Sequence, residues 1–321
     1  MQRRFFDYII ISLKGIAMGA ADVVPGVSGG TIAFISGIYE ELLESIDSIN
    51  LNFLKIWKTE GFKKAWLTIN GKFLLALFLG IAISIISLAK IIKWLLLNEA
   101  IMLWSFFFGL VLASVFYIGK QIRSWNTWIV ITIIITTIAS YFLTIAEPFA
   151  SPDNNLYLLF CGFIGIIAMI LPGVSGAFIL LILGAYQTAI NTVDDLFHSI
   201  ITLNLELFKD TIVKFLMLAL GAVFGIKAFS KLLNWMFKHY KNLTLAMLTG
   251  FMIGSLNKIW PWKKVLSLRT NSKGIEVPFQ EQSVSPFLFD GDNQIMMALL
   301  LMTIGFLTIL ILEKLGSKNN D

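Results

Sequence analysis

Val24-Pro25-Gly26-Val27-Ser28-Gly29-Gly30 returns 147 residues later as Leu171-Pro172-Gly173-Val174-Ser175-Gly176-Ala177, each time inside an apolar segment. Proline removes a backbone donor and stops the incoming helix, while glycine supplies conformations that other residues avoid, so each copy predicts two helical arms around a break. The arms are short of the ~20 apolar residues that cross a bilayer, which predicts re-entrant hairpins that enter and leave by one face. Broken helices at matching places in two halves of a chain point to a transporter built from internal repeats, with its site at the breaks.

The duplication extends beyond the motif. Residues 15–39 and 162–186 are identical at 11 of 25 positions, including Gly15/Gly162, Ala21/Ala168, Gly37/Gly184 and Tyr39/Tyr186. A second block matches at an offset of 141, through Gly80/Gly221, Lys90/Lys231, Trp94/Trp235, Gly109/Gly250 and Ser114/Ser255. The change of offset falls in a polar connector, where insertions are tolerated. The expected fold is an all-α polytopic membrane protein of two inverted-topology repeats, each a re-entrant helical hairpin plus about three transmembrane helices. The first repeat is placed at 1–146, with its hairpin at about 9–47 and helices at about 73–96, 99–118 and 128–146. The second is placed at 156–314, with its hairpin at about 157–192 and helices at about 214–237, 243–258 and 295–312. The 243–258 helix is short for a span.

Composition agrees with this reading and excludes others. Of 321 residues 57% are hydrophobic and 14% charged, and the mean hydropathy is +0.80, too apolar for an ordinary soluble protein. The net charge of +5 is spread over short loops between apolar runs, which fits positive cytoplasmic loops and not a nucleic-acid surface. The single cysteine, Cys161, excludes an intramolecular disulfide, and with only His198 and His239 no metal site or cofactor is expected. Arg3 and Arg4 before an apolar run imitate a signal peptide, but Lys14 interrupts that run and the region recurs internally, so it belongs to the fold.

Charge also orients the chain. With the N-terminus, the C-terminus and the first hairpin on the cytoplasmic side, Lys55, Lys58, Lys63, Lys64, Lys72, Lys120, Arg123, Lys238 and Lys241 all lie inside. The loop 147–155, with Glu147 and Asp153 and no basic residue, then lies outside, as does the connector bearing Asp194, Asp195, Glu206 and Asp210. Three crossings per repeat is an odd number and requires the halves to insert in opposite directions. Loop 259–294 would be external despite Lys263, Lys264, Arg269 and Lys273, although it also carries Glu276, Glu281, Asp290 and Asp292. Trp57, Trp66, Trp125, Trp128, Trp260 and Trp262 fall beside expected interfaces as belt anchors.

The chemistry is expected at the breaks. A new helix N-terminus follows each one, where free N–H groups and the positive dipole end favour an anion. The candidate binding residues are Pro25, Gly26, Val27, Ser28, Gly29, Gly30 and Thr31 in the first motif, and Pro172, Gly173, Val174, Ser175 and Gly176 in the second. Asp22, whose counterpart is Met169, is the candidate for coupling to a proton or cation, the alternative being that it caps the re-entrant helix. Lys90 and Lys231 stand at matching positions in spanning helices, where they could receive a phosphate at either face or snorkel to the interface. Lys93 and Lys227 lie one turn away, and Lys14 is a candidate for the cytoplasmic mouth.

The run from Gly15 to Thr31, followed by Gly37-Ile38-Tyr39-Glu40, together with Ile170 to Phe178, resembles the two motifs of the PopT family of bacterial membrane proteins, formerly a domain of unknown function. That resemblance implies a multi-pass protein of the bacterial cytoplasmic membrane. It implies a translocase that returns undecaprenyl phosphate or a related polyprenyl phosphate to the inner leaflet for lipid-carrier recycling in cell-envelope synthesis. The partners implied are that lipid, the surrounding membrane lipids, and protons or a cation if transport is coupled, with no nucleic acid. Besides a purely structural membrane protein, which the duplicated breaks disfavour, two other classes compete. One is a secondary transporter of a small soluble anion, which would use an enclosed cavity. The other is a lipid phosphatase, for which no His/Arg/Asp cluster is evident. The absence of a P-loop motif means that transport runs downhill or on an ion gradient.

Overall fold

Several helices begin where asparagine can accept a hydrogen bond from the open first turn: Asn50, Asn126, Asn154 and Asn204 take the N–H groups of Asn52, Ile129, Leu156 and Leu207 at 2.8–3.1 Å. The computed structural model describes residues 3–24, 27–146, 154–270 and 276–317. Pro25, Gly26, Glu147, Asp153 and Lys273 therefore lie outside the described residues.

The first half comprises α1 (Phe5–Val23), α2 (Gly29–Ile35) and α3 (Tyr39–Asp47), then α4 (Leu51–Glu60) and α5 (Phe62–Thr68) in the connector. The long helices α6 (Gly71–Asn98), α7 (Ala100–Gln121) and α8 (Thr127–Ile145) complete it. The second half comprises α9 (Asn155–Ile170), α10 (Gly176–Ile182) and α11 (Tyr186–Ile201), followed by α12 (Leu205–His239), α13 (Lys241–Ser255) and α14 (Ile295–Ser317). Among the described residues α6, α7, α8 and α12 are long and apolar enough to cross a membrane, and the pair α10–α11, bent by 110°, is a fifth candidate. The chain is a mostly helical polytopic membrane protein. Helix α12 begins nearer the connector than hydropathy suggests, because its first turns carry Glu206, Lys209 and Asp210 and are helical without being apolar.

Corresponding helices make corresponding contacts. Helix α1 packs along α6 as α9 packs along α12, and α7 pairs with α14 as α8 pairs with α13. Glycines set these close approaches. A Cβ on Gly15 would overlap the Leu77 carbonyl, and one on Gly162 would overlap that of Leu218; Gly80 and Gly221 stand in the same way against the carbonyls of Ser12 and Leu159. These are the same places in the two halves, so the repeated glycines of the sequence are repeated backbone contacts.

One end of the molecule gathers the junctions expected to share a side. The Arg3 guanidinium and the Asn70 amide both donate to Glu41 of α3, and Lys241 and Lys238 pair with Glu40 and Glu44 at 2.8 and 3.4 Å. Ser124 accepts from the Asn242 amide at 2.7 Å. Helix α6 therefore starts at the cluster where α12 ends, and the two run in opposite directions. Both ends of the first hairpin lie there too, since Arg3 precedes α1 and Glu41 follows α2.

The opposite end departs from an all-α fold. Strands β1 (Lys263–Thr270) and β2 (Glu276–Ser283) form an antiparallel hairpin, with Lys263 opposite Ser283 and an irregularity near Val265–Ser267. Hydropathy reads this segment only as a polar loop, since Pro278 and five charged residues mask the strands. Two of the lysines that strained the positive-inside reading are engaged here, Lys263 with Glu281 and Lys264 with Asp290 at 3.6 and 3.5 Å. Trp260 and Trp262 are not exposed anchors. Their indole N–H groups donate to the carbonyls of Val284 and Asn293 at 2.8 Å, and Trp262 packs with Ile101 and Ala298, fastening the hairpin to α7 and α14. Trp57, Trp125 and Trp128 do stand exposed.

Candidate functional site

The two motifs meet each other. Ser28 caps α2 by accepting the Gly30 N–H at 3.1 Å, and its hydroxyl faces the carbonyls of Met169 and Leu171 at 3.3 and 3.2 Å, donating to one at a time. Thr31 Oγ1 accepts the Gly173 N–H at 2.9 Å, and the Tyr39 hydroxyl donates to the Ile170 carbonyl at 3.0 Å. The groups that a helix break leaves open in the second half are thus satisfied by side chains of the first. Gly173 holds φ +83°, a conformation glycine supplies without strain, and this presents its N–H to Thr31. Ser28 and Thr31 are buried in this contact.

The two helix starts differ in charge. Asp22 Oδ1 accepts the Gly29 N–H at 2.6 Å, so a carboxylate already occupies the positive end of α2. Met169 takes the equivalent place beside Gly176, where an added Cβ would overlap its side chain just as one on Gly29 would overlap Asp22. The start of α10 therefore carries no carboxylate. Its cap, Ser175, accepts the Phe178 N–H at 3.4 Å.

The second motif separates two cavities. A cavity of about 370 Å³ is bordered by Asp22, Val27 and Ser28 on one side and by Val174, Ser175, Gly176 and Ala177 on the other, with Tyr186 and Asp194 contributed by α11. A much smaller one, of about 20 Å³, is lined by Val174 and Ser175 as well, together with Ser140, Thr144, Phe178 and Lys258. The large cavity carries two carboxylates and the small one a lysine.

The remaining candidates lie elsewhere. Lys90 and Lys231 are on exposed faces of α6 and α12, outside both cavities. Lys227 donates to the carbonyls of Ile46 and Asp47 at 2.7 and 2.9 Å, and Lys14 to that of Ser36 at 2.6 Å, so these two close helix C-termini. Lys258 and Glu281 have no counterpart signal in the repeat pattern; Lys258 reaches the motif by lying over the ring of Phe178, and Glu281 pairs with Lys258. Lys263 beside them is held down at about 8 by burial, against the pull of Glu281. Lys258 is likewise lowered by burial.

Residues 18–277 match the VCA0040-like family, described as undecaprenyl phosphate translocase-like. The chain belongs to this translocase-like family. A polyprenyl-phosphate transporter of Vibrio cholerae serotype O1 is 44% identical to this member of the family over 322 residues, covering 99% of this chain and all of the relative. A polyprenyl-phosphate transporter of Staphylococcus aureus is 30% identical over 269 residues, covering 80% and 87% of the two chains. No solved structure matches this member of the translocase-like family.

Proposed function

We propose that this chain carries undecaprenyl phosphate, or a related polyprenyl phosphate, from the outer to the inner leaflet of the bacterial cytoplasmic membrane, returning the carrier for further cell-envelope synthesis. The observation that carries this reading is the second motif, which stands as a partition between a lysine-bearing cavity and a carboxylate-bearing one. The names of the two relatives support the substrate. Two inverted-topology repeats, 1–146 and 156–314, would give the headgroup similar paths to either face, and the opposed courses of α6 and α12 support that arrangement. The termini are assigned to the cytoplasmic side, where Arg3, Lys238 and Lys241 gather, and the β-hairpin to the outside.

A bare phosphate needs donors and positive charge in place of its water, at a cost of several kcal/mol where they are missing. Ser175, the cap of α10, would donate its hydroxyl proton to the phosphate at the partition, and the isoprenoid tail would stay in lipid. Pro172 shapes the second break, while Lys90 and Lys231, outside the cavities, snorkel towards the interfaces. Because Asp22 and Asp194 face the large cavity, a phosphate passing through it meets negative charge unless a proton or cation accompanies it. Asp22 is therefore the coupling residue of this scheme.

The test is transport in proteoliposomes, following the leaflet accessibility of labelled undecaprenyl phosphate beside the efflux of inorganic phosphate and other small anions. Movement of the lipid and not of the soluble anions is expected. Movement of a soluble anion with an inert lipid would replace this reading with that of a secondary anion transporter.

A further inference from the structure

The second motif has a cationic neighbour that its own sequence does not announce. Lys258, just beyond α13, and Lys263, at the start of β1, both turn towards Glu281 of β2, at 3.7 and 3.6 Å. Two ammonium groups thus share one carboxylate, leaving a positive charge uncompensated in a place where their side chains are only 16% and 7% exposed. The Lys263 ammonium makes no hydrogen bond among the described residues and lies 3.7 Å from the ring centre of Trp104. Lys258 lies 4.4 Å from the ring centre of Phe178, whose N–H is the one capped by Ser175. Aromatic faces stabilise a cation without neutralising it. A buried ammonium that lacks acceptors is costly, and this pair is arranged to be satisfied by an added anion.

The small cavity beside Lys258 and Ser175 is about 20 Å³, room for a water and not for a phosphate. An anion large enough to satisfy both lysines must therefore take the place of the Glu281 carboxylate, and β2 must give way. Resting on the function proposed above, we propose that Lys258 and Lys263 form the receiving site for a phosphate monoester headgroup, and that Glu281 is the resident carboxylate which the headgroup displaces. Ser175 then receives the phosphate at the partition and passes it towards the large cavity.

The experiment compares initial rates against the mole fraction of undecaprenyl phosphate in proteoliposomes of the full chain. Lys258→Gln and Lys263→Gln should each raise KM about tenfold with little change in kcat, and Lys258→Arg should stay near the wild type. Glu281→Gln should lower KM severalfold, because it removes the competitor. A purely structural ion cluster predicts the same sign for all of these changes, so a raised KM in Glu281→Gln overturns the proposal. Unchanged KM in the lysine variants of an active transporter overturns it as well, and leaves the transporter reading intact. If a lysine variant does not elute as a monodisperse protein, Glu281→Gln carries the test alone. An arm with inorganic phosphate as cargo separates a lipid headgroup from a free ion: no release of phosphate is expected. Release with the same dependence on Lys258 overturns the lipid assignment. A wild type that moves no polyprenyl phosphate removes the receiving site together with the function it rests on.

Discussion

Thr31→Val asks how firmly the two hairpins hold each other. Valine keeps the shape of threonine and removes the oxygen that accepts the Gly173 N–H at 2.9 Å, inside a contact where Thr31 is wholly buried. A buried donor left without a partner costs about 1–3 kcal/mol, more than the net worth of an ordinary hydrogen bond, because water cannot replace the lost acceptor. At room temperature this is roughly a 5- to 150-fold increase in the equilibrium constant for opening the contact. Amide hydrogen exchange of the full chain in detergent, read on a peptide covering 171–176, should show faster exchange of that order in Thr31→Val. Thr31→Ser, which keeps the hydroxyl, should exchange close to the wild type. Equal exchange in Thr31→Val and wild type, or equal acceleration in both variants, would refute the reasoning.

Further outcomes follow from the same geometry. Gly80→Ala and Gly221→Ala force a methyl against the carbonyls of Ser12 and Leu159, so each should destabilise by about 1–3 kcal/mol, and both should lower the thermal midpoint in detergent; an effect confined to one half would contradict the equivalence of the repeats. Asp22→Asn keeps an acceptor for the Gly29 N–H but removes the charge, so lipid movement should persist while losing its dependence on an imposed ion gradient. Retained gradient dependence would remove Asp22 from the coupling. Lys263, lowered from 10.5 to about 8, is charged in both folded and unfolded chains below pH 8, whereas between about 8 and 10.5 the folded chain has released a proton that the unfolded chain keeps. Wild type should gain stability relative to Lys263→Met through that window, by up to about 1.4 kcal/mol per pH unit, and a difference that stays flat from pH 7 to 10 would deny the burial.

The repeat, the two breaks and the matched glycines were legible because each is a local property that returns at a fixed offset. Gly15, Gly80, Gly162 and Gly221 proved to be close backbone approaches in both halves. The donor role expected of Ser28 and Thr31 was less legible. Their residue type is right for binding an anion, but it is equally right for closing a neighbouring helix break, and contacts across 141 to 143 residues give both side chains that second role. Asp22 was open to two readings, and its bond to the Gly29 N–H makes it a cap of α2 while its position on the large cavity keeps it available for coupling. Lys258 and Lys263 could not be singled out, since they belong to a polar segment whose strands hydropathy does not register. Lys90 and Lys231, matched in sequence, share exposure and not proximity, because a common offset fixes equivalent places and says nothing of what stands beside them.

The central claim is that a polyprenyl phosphate headgroup passes the partition made by the second motif, and thiol protection tests it most directly. Cys161 is buried, so Ala177→Cys, which faces the large cavity, should be the reactive thiol of the chain. Undecaprenyl phosphate should slow its modification by a water-soluble maleimide in detergent, while undecaprenol, which has the same tail and no phosphate, should leave the rate unchanged. Equal rates with both lipids, in protein that still transports undecaprenyl phosphate, would place the path elsewhere and contradict the account.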